Sequence, residues 1–172
     1  MWIAGEWTDA EDGSTSDVLN PATGEVIATT PKATITDVER CVAASRAALK
    51  SKEWAAMDPA QRGRILQKMA AATYANAKSL AAVESTNNGK TFREALSEIR
   101  YGAWTLEYFA GLSDKIEGST IPVPGSRLNY TLKQPLGVTA HLVPWNFPLQ
   151  LAIRSIAPAL AAGCTVIAKP AS

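Results

Sequence analysis

Nucleophiles and bases are scarce in this chain: it has two cysteines, Cys41 and Cys164, and one histidine, His141. They are too few for a closed Cys/His zinc site, and no C-x-x-C spacing is present. Cys164, in Gly163-Cys164-Thr165, opens an apolar stretch and reads as a small inert hydrophobe, as does Cys41 on a helix. His141 alternates along a strand and reads as a packed or hydrogen-bonded histidine, not a base. Two other polar residues stand where chemistry is placed in α/β proteins. Asn146 lies in the turn Pro144-Trp145-Asn146-Phe147-Pro148. Its amide can donate a hydrogen bond, and taken alone it reads as a turn asparagine bonding to local backbone. Lys169 ends an apolar strand, and open α/β sheets bind ligands at the carboxyl ends of their strands.

These residues need elements to hold them. The spacing predicts a strand over 138–143, a helix over 149–162 stopped by Gly163, and a second strand over 165–168. The span suits one βαβ unit with parallel strands and a right-handed crossover. Upstream, Thr36-x-x-Glu39, Asp58-x-x-Gln61 and Thr91-x-x-Glu94 are capping-box patterns. They predict helices over 37–50, 59–86 and 92–112, the second opened by Pro59 and stopped by Asn87-Asn88-Gly89. The second carries the stripe Leu66, Met69, Thr73, Ala77, Leu80, and the third Phe92, Leu96, Ile99, Ala103, Leu106, Ala110. Trp2-Ile3-Ala4-Gly5-Glu6-Trp7 reads as a short hairpin, and the turn Asn20-Pro21-Ala22-Thr23-Gly24-Glu25 leads into a strand over 26–29. Residues 121–133 alternate with period two, and Pro122 and Pro124 restrict that arm to an edge or a projecting ribbon.

The composition narrows the function classes. The chain has 172 residues, with 17 Lys+Arg against 16 Asp+Glu and 47% apolar residues. That is a globular balance without a basic surface for nucleic acid or anionic membrane. Its longest apolar stretch, over 156–168, is broken by Pro158, Gly163 and Thr165 and reads as buried core, not a membrane span. The N-terminus lacks a basic region followed by an apolar stretch, so the expected compartment is the cytoplasm.

The chain resembles the N-terminal part of the aldehyde dehydrogenase superfamily. The likeness runs through Ile3-Ala4-Gly5-Glu6-Trp7, Asn20-Pro21-Ala22-Thr23-Gly24-Glu25, Asn88-Gly89-Lys90 and Pro135-Leu136-Gly137-Val138. It is most specific in Val143-Pro144-Trp145-Asn146-Phe147-Pro148-Leu149, followed by Gly163-Cys164-Thr165 and Lys169-Pro170. The resemblance implies an α/β fold of small β hairpins, three helices, a projecting ribbon and the first βαβ unit of an incomplete Rossmann-like sheet. Its implied parts are 1–116 and 137–172 of the cofactor-binding domain, the latter truncated, with an oligomerisation ribbon over 117–136.

The resemblance also implies oxidation of an aldehyde to a carboxylic acid with NAD or NADP. A cysteine thiolate attacks the aldehyde, hydride passes to the nicotinamide, and water activated by a glutamate releases the acid. The family's nucleophile and base lie downstream of Lys-Pro, so the expectation is that these 172 residues alone are inactive. Asn146 matches the asparagine whose amide faces the substrate oxygen, where a neutral donor stabilises the oxyanion. Lys169 matches the lysine that binds the adenosine ribose. Leu142, Val143, Pro144 and Trp145 match the segment beneath the nicotinamide half, and Ala171 and Ser172 complete the cofactor-binding stretch. Many NAD-preferring relatives carry glutamate at the place of Ser172, where a carboxylate repels a 2′-phosphate. Serine removes that repulsion, so NADP is expected to be tolerated or preferred. The ribbon implies homo-oligomers. The alternatives are a non-catalytic interaction module that joins longer relatives, or an acylating or semialdehyde-specific member.

Overall fold

The computed structural model describes residues 1–171, and Ser172, including its expected contact with cofactor, lies outside them. Two antiparallel hairpins open the chain: β1 (Trp2–Ile3) with β2 (Glu6–Trp7), and β3 (Thr15–Leu19) with β4 (Val26–Pro31). Five helices follow: α1 (Ile35–Lys50), α2 (Lys52–Ala55), α3 (Pro59–Ala75), α4 (Ala77–Asn88) and α5 (Phe92–Leu112). A ribbon of β5 (Thr120–Ile121) and β6 (Asn129–Tyr130) leads to β7 (Val138–Leu142), α6 (Pro148–Ala161) and β8 (Thr165–Lys169). β7 and β8 pair in parallel, with Val138 opposite Thr165 and Leu142 opposite Lys169, which is the expected βαβ unit.

α2 was not expected, and three larger differences from the sequence reading stand out. α1 begins two residues early because its capping box is Thr34 with Asp37, not Thr36 with Glu39. Asp37 is fully buried, and its carboxylate accepts from the Thr34 and Glu11 backbone N–H groups at 3.0 and 3.2 Å and from Arg40 at 3.0 Å. One side chain thus caps the helix and ties it to the loop between the first two hairpins. The single helix expected over 59–86 is two, because Asn76 leaves helical geometry (φ −100, ψ 11) and its side-chain amide donates to the Ala72 carbonyl at 2.8 Å. The stripe rotates with that break. Leu66, Ala70, Ala77 and Ala81 are buried, while Met69 is not. The ribbon is paired over two residues per arm, extended by the Thr131 N–H to Ser119 carbonyl bond and by the Ser119 N–H to Thr131 hydroxyl bond. The Asp58–Gln61 box with Pro59 stands as expected, as does the Thr91 cap opening α5.

The backbone bonds from Thr34 and Glu11 hold the Asp37 carboxyl below its ordinary value of 3.8, and Arg40 adds to the effect. A group whose pKa is depressed by folding stabilises the fold above its unfolded value, and that stability is lost as pH falls toward the lowered folded value. Asp37→Asn therefore lowers the melting temperature at neutral pH, and the gap to wild type closes on acidification below the ordinary carboxylate range. A gap unchanged between neutral and strongly acidic buffer contradicts this.

The core is helical. α5 runs through its centre and packs against α3, α4 and α6. Leu66 and Ala70 of α3, Leu106 and Ala110 of α5, and Ile153, Ala157 and Ala161 of α6 form one buried cluster. Ala77 and Ala81 of α4 with Ala95 and Ile99 of α5 form a second. A Cβ at Gly63 would stand 2.6 Å from the Ala110 carbonyl oxygen, so only glycine allows α3 so close to α5. Among the described residues no helix is long and apolar enough to cross a membrane.

Candidate active site

The parallel register brings two of the expected site residues to one edge. Leu142 pairs with Lys169, and the Val143 N–H donates to the Lys169 carbonyl at 3.0 Å. The turn 144–147 and Lys169 therefore both emerge at the carboxyl end of the sheet. Cys164 precedes β8 at the opposite end and is buried, while Cys41 sits on α1. Cys164 therefore does not share the Asn146 edge. His141 stands on β7 with its Nε2 2.9 Å from the Thr139 hydroxyl, a hydrogen-bonded strand histidine as expected.

Along that edge the side chains divide. Val143 is buried in the core, so it offers a ligand backbone only. Leu142 and Trp145 are 81% and 69% exposed, apolar surface available to a flat ring. Pro144, Ala171 and Lys169 are exposed, and the Lys169 ammonium donates to the Pro170 carbonyl at 2.8 Å. Asn146 is exposed, and among the described residues no hydrogen bond reaches its side-chain amide. A turn asparagine serving only its own backbone would use that amide locally.

The Asn146 backbone is instead held from elsewhere. The Asn88 side-chain amide donates to the Trp145 carbonyl at 2.6 Å. The Lys90 ammonium donates to the Asn146 carbonyl at 2.8 Å and lies 4.7 Å from the centroid of the Phe147 ring. Lys90 also donates to Glu84 at 3.1 Å and to Glu98, and the three side chains are 11%, 6% and 13% exposed. Burial alone would lower the Lys90 pKa, but hydrogen bonds to Glu98 and Glu84 outweigh it and keep the ammonium charged above the ordinary lysine range. Burial, and then the hydrogen bond with Glu98, push the Glu84 carboxyl up, opposed by Lys90.

Sequence reasoning missed this cluster. It took Asn87-Asn88-Gly89 as a helix stop, which it is: Gly89 ends α4 in the left-handed conformation (φ +83). That geometry, with Pro21 packed where a Cβ would stand, turns the chain so that Asn88 and Lys90 both reach the 145–146 peptides. The available signal was a lysine after a helix-ending glycine with a glutamate on the preceding helix and another on the following one.

Comparisons with known proteins place the chain in a family. The profile of the aldehyde dehydrogenase family matches residues 7–172. The chain is 43% identical over 171 residues to a hydroxyisobutyraldehyde dehydrogenase of Mycolicibacterium austroafricanum, covering 99% of this chain and 34% of that protein. It is 44% identical over 173 residues to a glutarate-semialdehyde dehydrogenase of Pseudomonas putida, covering 99% and 35%. It superposes with a TM-score of 0.95, at 36% identity, on a point mutant of Staphylococcus aureus betaine aldehyde dehydrogenase in complex with NAD+, covering 99% of this chain and 35% of that one. The chain spans about a third of the length of these curated relatives. Its parallel pair and the Asn146 turn at the carboxyl edge thus sit within a match that runs almost end to end, and the chain belongs to the aldehyde dehydrogenase family.

Proposed function

We propose that this chain supplies the oxyanion donor and part of the cofactor platform of an NAD(P)-dependent aldehyde dehydrogenase that oxidises an aldehyde to a carboxylic acid. One observation carries the reading: Asn146, with its amide unpaired among the described residues, shares the carboxyl edge of a parallel pair with Lys169. As an aldehyde carbonyl is attacked, its oxygen gains charge. An amide already in place stabilises that charge without moving a proton.

NAD or NADP fits the same edge. The exposed Lys169 ammonium can donate to ribose hydroxyls or to a 2′-phosphate, Leu142 and Trp145 offer apolar surface to a ring, and the backbone around Val143 and Pro144 closes the platform. When bound, the nicotinamide accepts a hydride. The chain's own residues bind it, orient it and stabilise the substrate oxygen. On the ribbon, Leu128, Tyr130 and Leu132 are exposed in alternation, a surface that a second copy of the chain would cover.

The test is the full-length polypeptide that carries this chain, supplied with an aldehyde and NAD or NADP. Formation of reduced cofactor together with the carboxylic acid is expected. Binding to a longer aldehyde dehydrogenase without turnover of any aldehyde would favour the interaction module instead. In the same protein Ser172→Glu lowers the NADP-to-NAD ratio of kcat/KM, and an unchanged ratio sinks the proposal that Ser172 admits the 2′-phosphate.

A further inference from the structure

We propose that Lys90 is a positioning residue, whose three N–H bonds fix the peptide from which the Asn146 side chain projects; this rests on Asn146 being the oxyanion donor. An ammonium has three donors and no acceptor. Here the three have three acceptors, a carboxylate oxygen of Glu84, one of Glu98 and the Asn146 carbonyl oxygen. Two of these are anchored on α4 and α5 in the helical core, so the third bond aims the turn relative to a rigid body. Asn88 holds the preceding carbonyl at 2.6 Å, and the ammonium over Phe147 engages the following residue. Three successive residues of the turn are therefore held by two side chains flanking Gly89.

A surface ion pair would be a weak lock, but this one is nearly closed off from water, where a charged donor is held firmly and its loss is costly. Among the described residues the turn's other holds are backbone bonds at its two ends, Val143 N–H to the Lys169 carbonyl and Leu151 N–H to the Phe147 carbonyl. α6 opens after Phe147 without a side-chain cap, and Trp145, Asn146 and Phe147 are all exposed. The cluster sits behind the turn, bonded to its main chain, and leaves the Asn146 amide free. That arrangement serves placement of the amide.

The test compares Lys90→Met, Asn88→Ala and Asn146→Ala in the full-length polypeptide with its aldehyde and cofactor. Lys90→Met is expected to lower kcat about 10²-fold and Asn88→Ala about tenfold, as a misplaced donor does. The KM for cofactor stays within about twofold. The double variant Lys90→Met/Asn146→Ala is expected to be no slower than Asn146→Ala, because the group that Lys90 places is already gone. Amide hydrogen exchange across 144–149 is expected to quicken in Lys90→Met while α5 keeps its protection. Wild-type kcat in Lys90→Met, unchanged exchange in the turn, or a double variant slowed by the full Lys90 factor overturns the proposal alone. An Asn146→Ala enzyme with wild-type kcat overturns the reading of Asn146 and this proposal with it. If Lys90→Met fails to fold, Lys90→Arg, which keeps the buried charge paired with Glu84 and Glu98 but moves its donors, decides by the same criteria.

Discussion

Asn146→Ala lowers kcat for aldehyde oxidation about 10²–10³-fold in the full-length protein, the usual loss for one oxyanion donor. The residue is exposed, and its side chain makes no hydrogen bond among the described residues, so truncation removes no internal contact. Stability should stay within about 0.5 kcal/mol of wild type, as for other surface substitutions. The donor acts on charge that exists only as the carbonyl is attacked, so kcat and kcat/KM fall together and the KM for cofactor is nearly unmoved. Asn146→Asp is the sharper control. It has similar size, but at neutral pH it offers only acceptors and a negative charge, so its rate falls at least as far as that of the alanine variant. Steady-state kinetics with one aldehyde decide the matter: an alanine variant within about threefold of wild type removes Asn146 from the chemistry.

Leu106→Ala destabilises the fold by about 2–5 kcal/mol. Leu106 is 1% exposed, at the middle of α5 where α3 and α6 converge. The cost of such a truncation depends on how far the surroundings can collapse into the space. Several of the cluster's members are alanines, Ala70, Ala110, Ala157 and Ala161, with no side chain long enough to reach in. The cavity therefore stays open, and the loss belongs in the upper part of the range. Leu106→Met, which conserves volume, costs less than about 1.5 kcal/mol. Denaturant titration of the two variants tests this, and an alanine loss below about 1 kcal/mol would show that the helices close on the gap.

Much of the scaffold was legible because its signals are local. Pro59 after Asp58, Thr91 before Glu94 and Gly163 after α6 mark helix ends by backbone chemistry that needs no tertiary partner. The parallel pair was legible because its two strands are short apolar runs at crossover spacing. What escaped depends on contacts between distant residues. Asp37 caps α1 in place of Glu39 because it also binds Glu11, twenty-six residues away. The hold of Lys90 on Asn146 spans fifty-six residues, and no periodicity encodes it. Asn76 lies between, since its break is local but its composition is not distinctive: an asparagine in an alanine-rich helix can face solvent or bond back to the preceding turn, and here it bonds back.

The alanines of the helical core have a further consequence. Ala70, Ala81, Ala95, Ala103 and Ala157 are fully buried, so alanine methyl groups share the contact among α3, α4, α5 and α6 with a few large side chains such as Leu66, Ile99, Leu106 and Ile153. Alanine has no χ angle, so these contacts cost no rotamer entropy on folding and have no second rotamer into which to relax afterwards. At the alanine contacts the interface has little compliance: thermal motion can separate the helices there or leave them in place, but those side chains have nothing to reshuffle. It is also one-sided under mutation. Apart from glycine every replacement is an enlargement, so natural variation there should be sparse, and drift should collect on the outward faces.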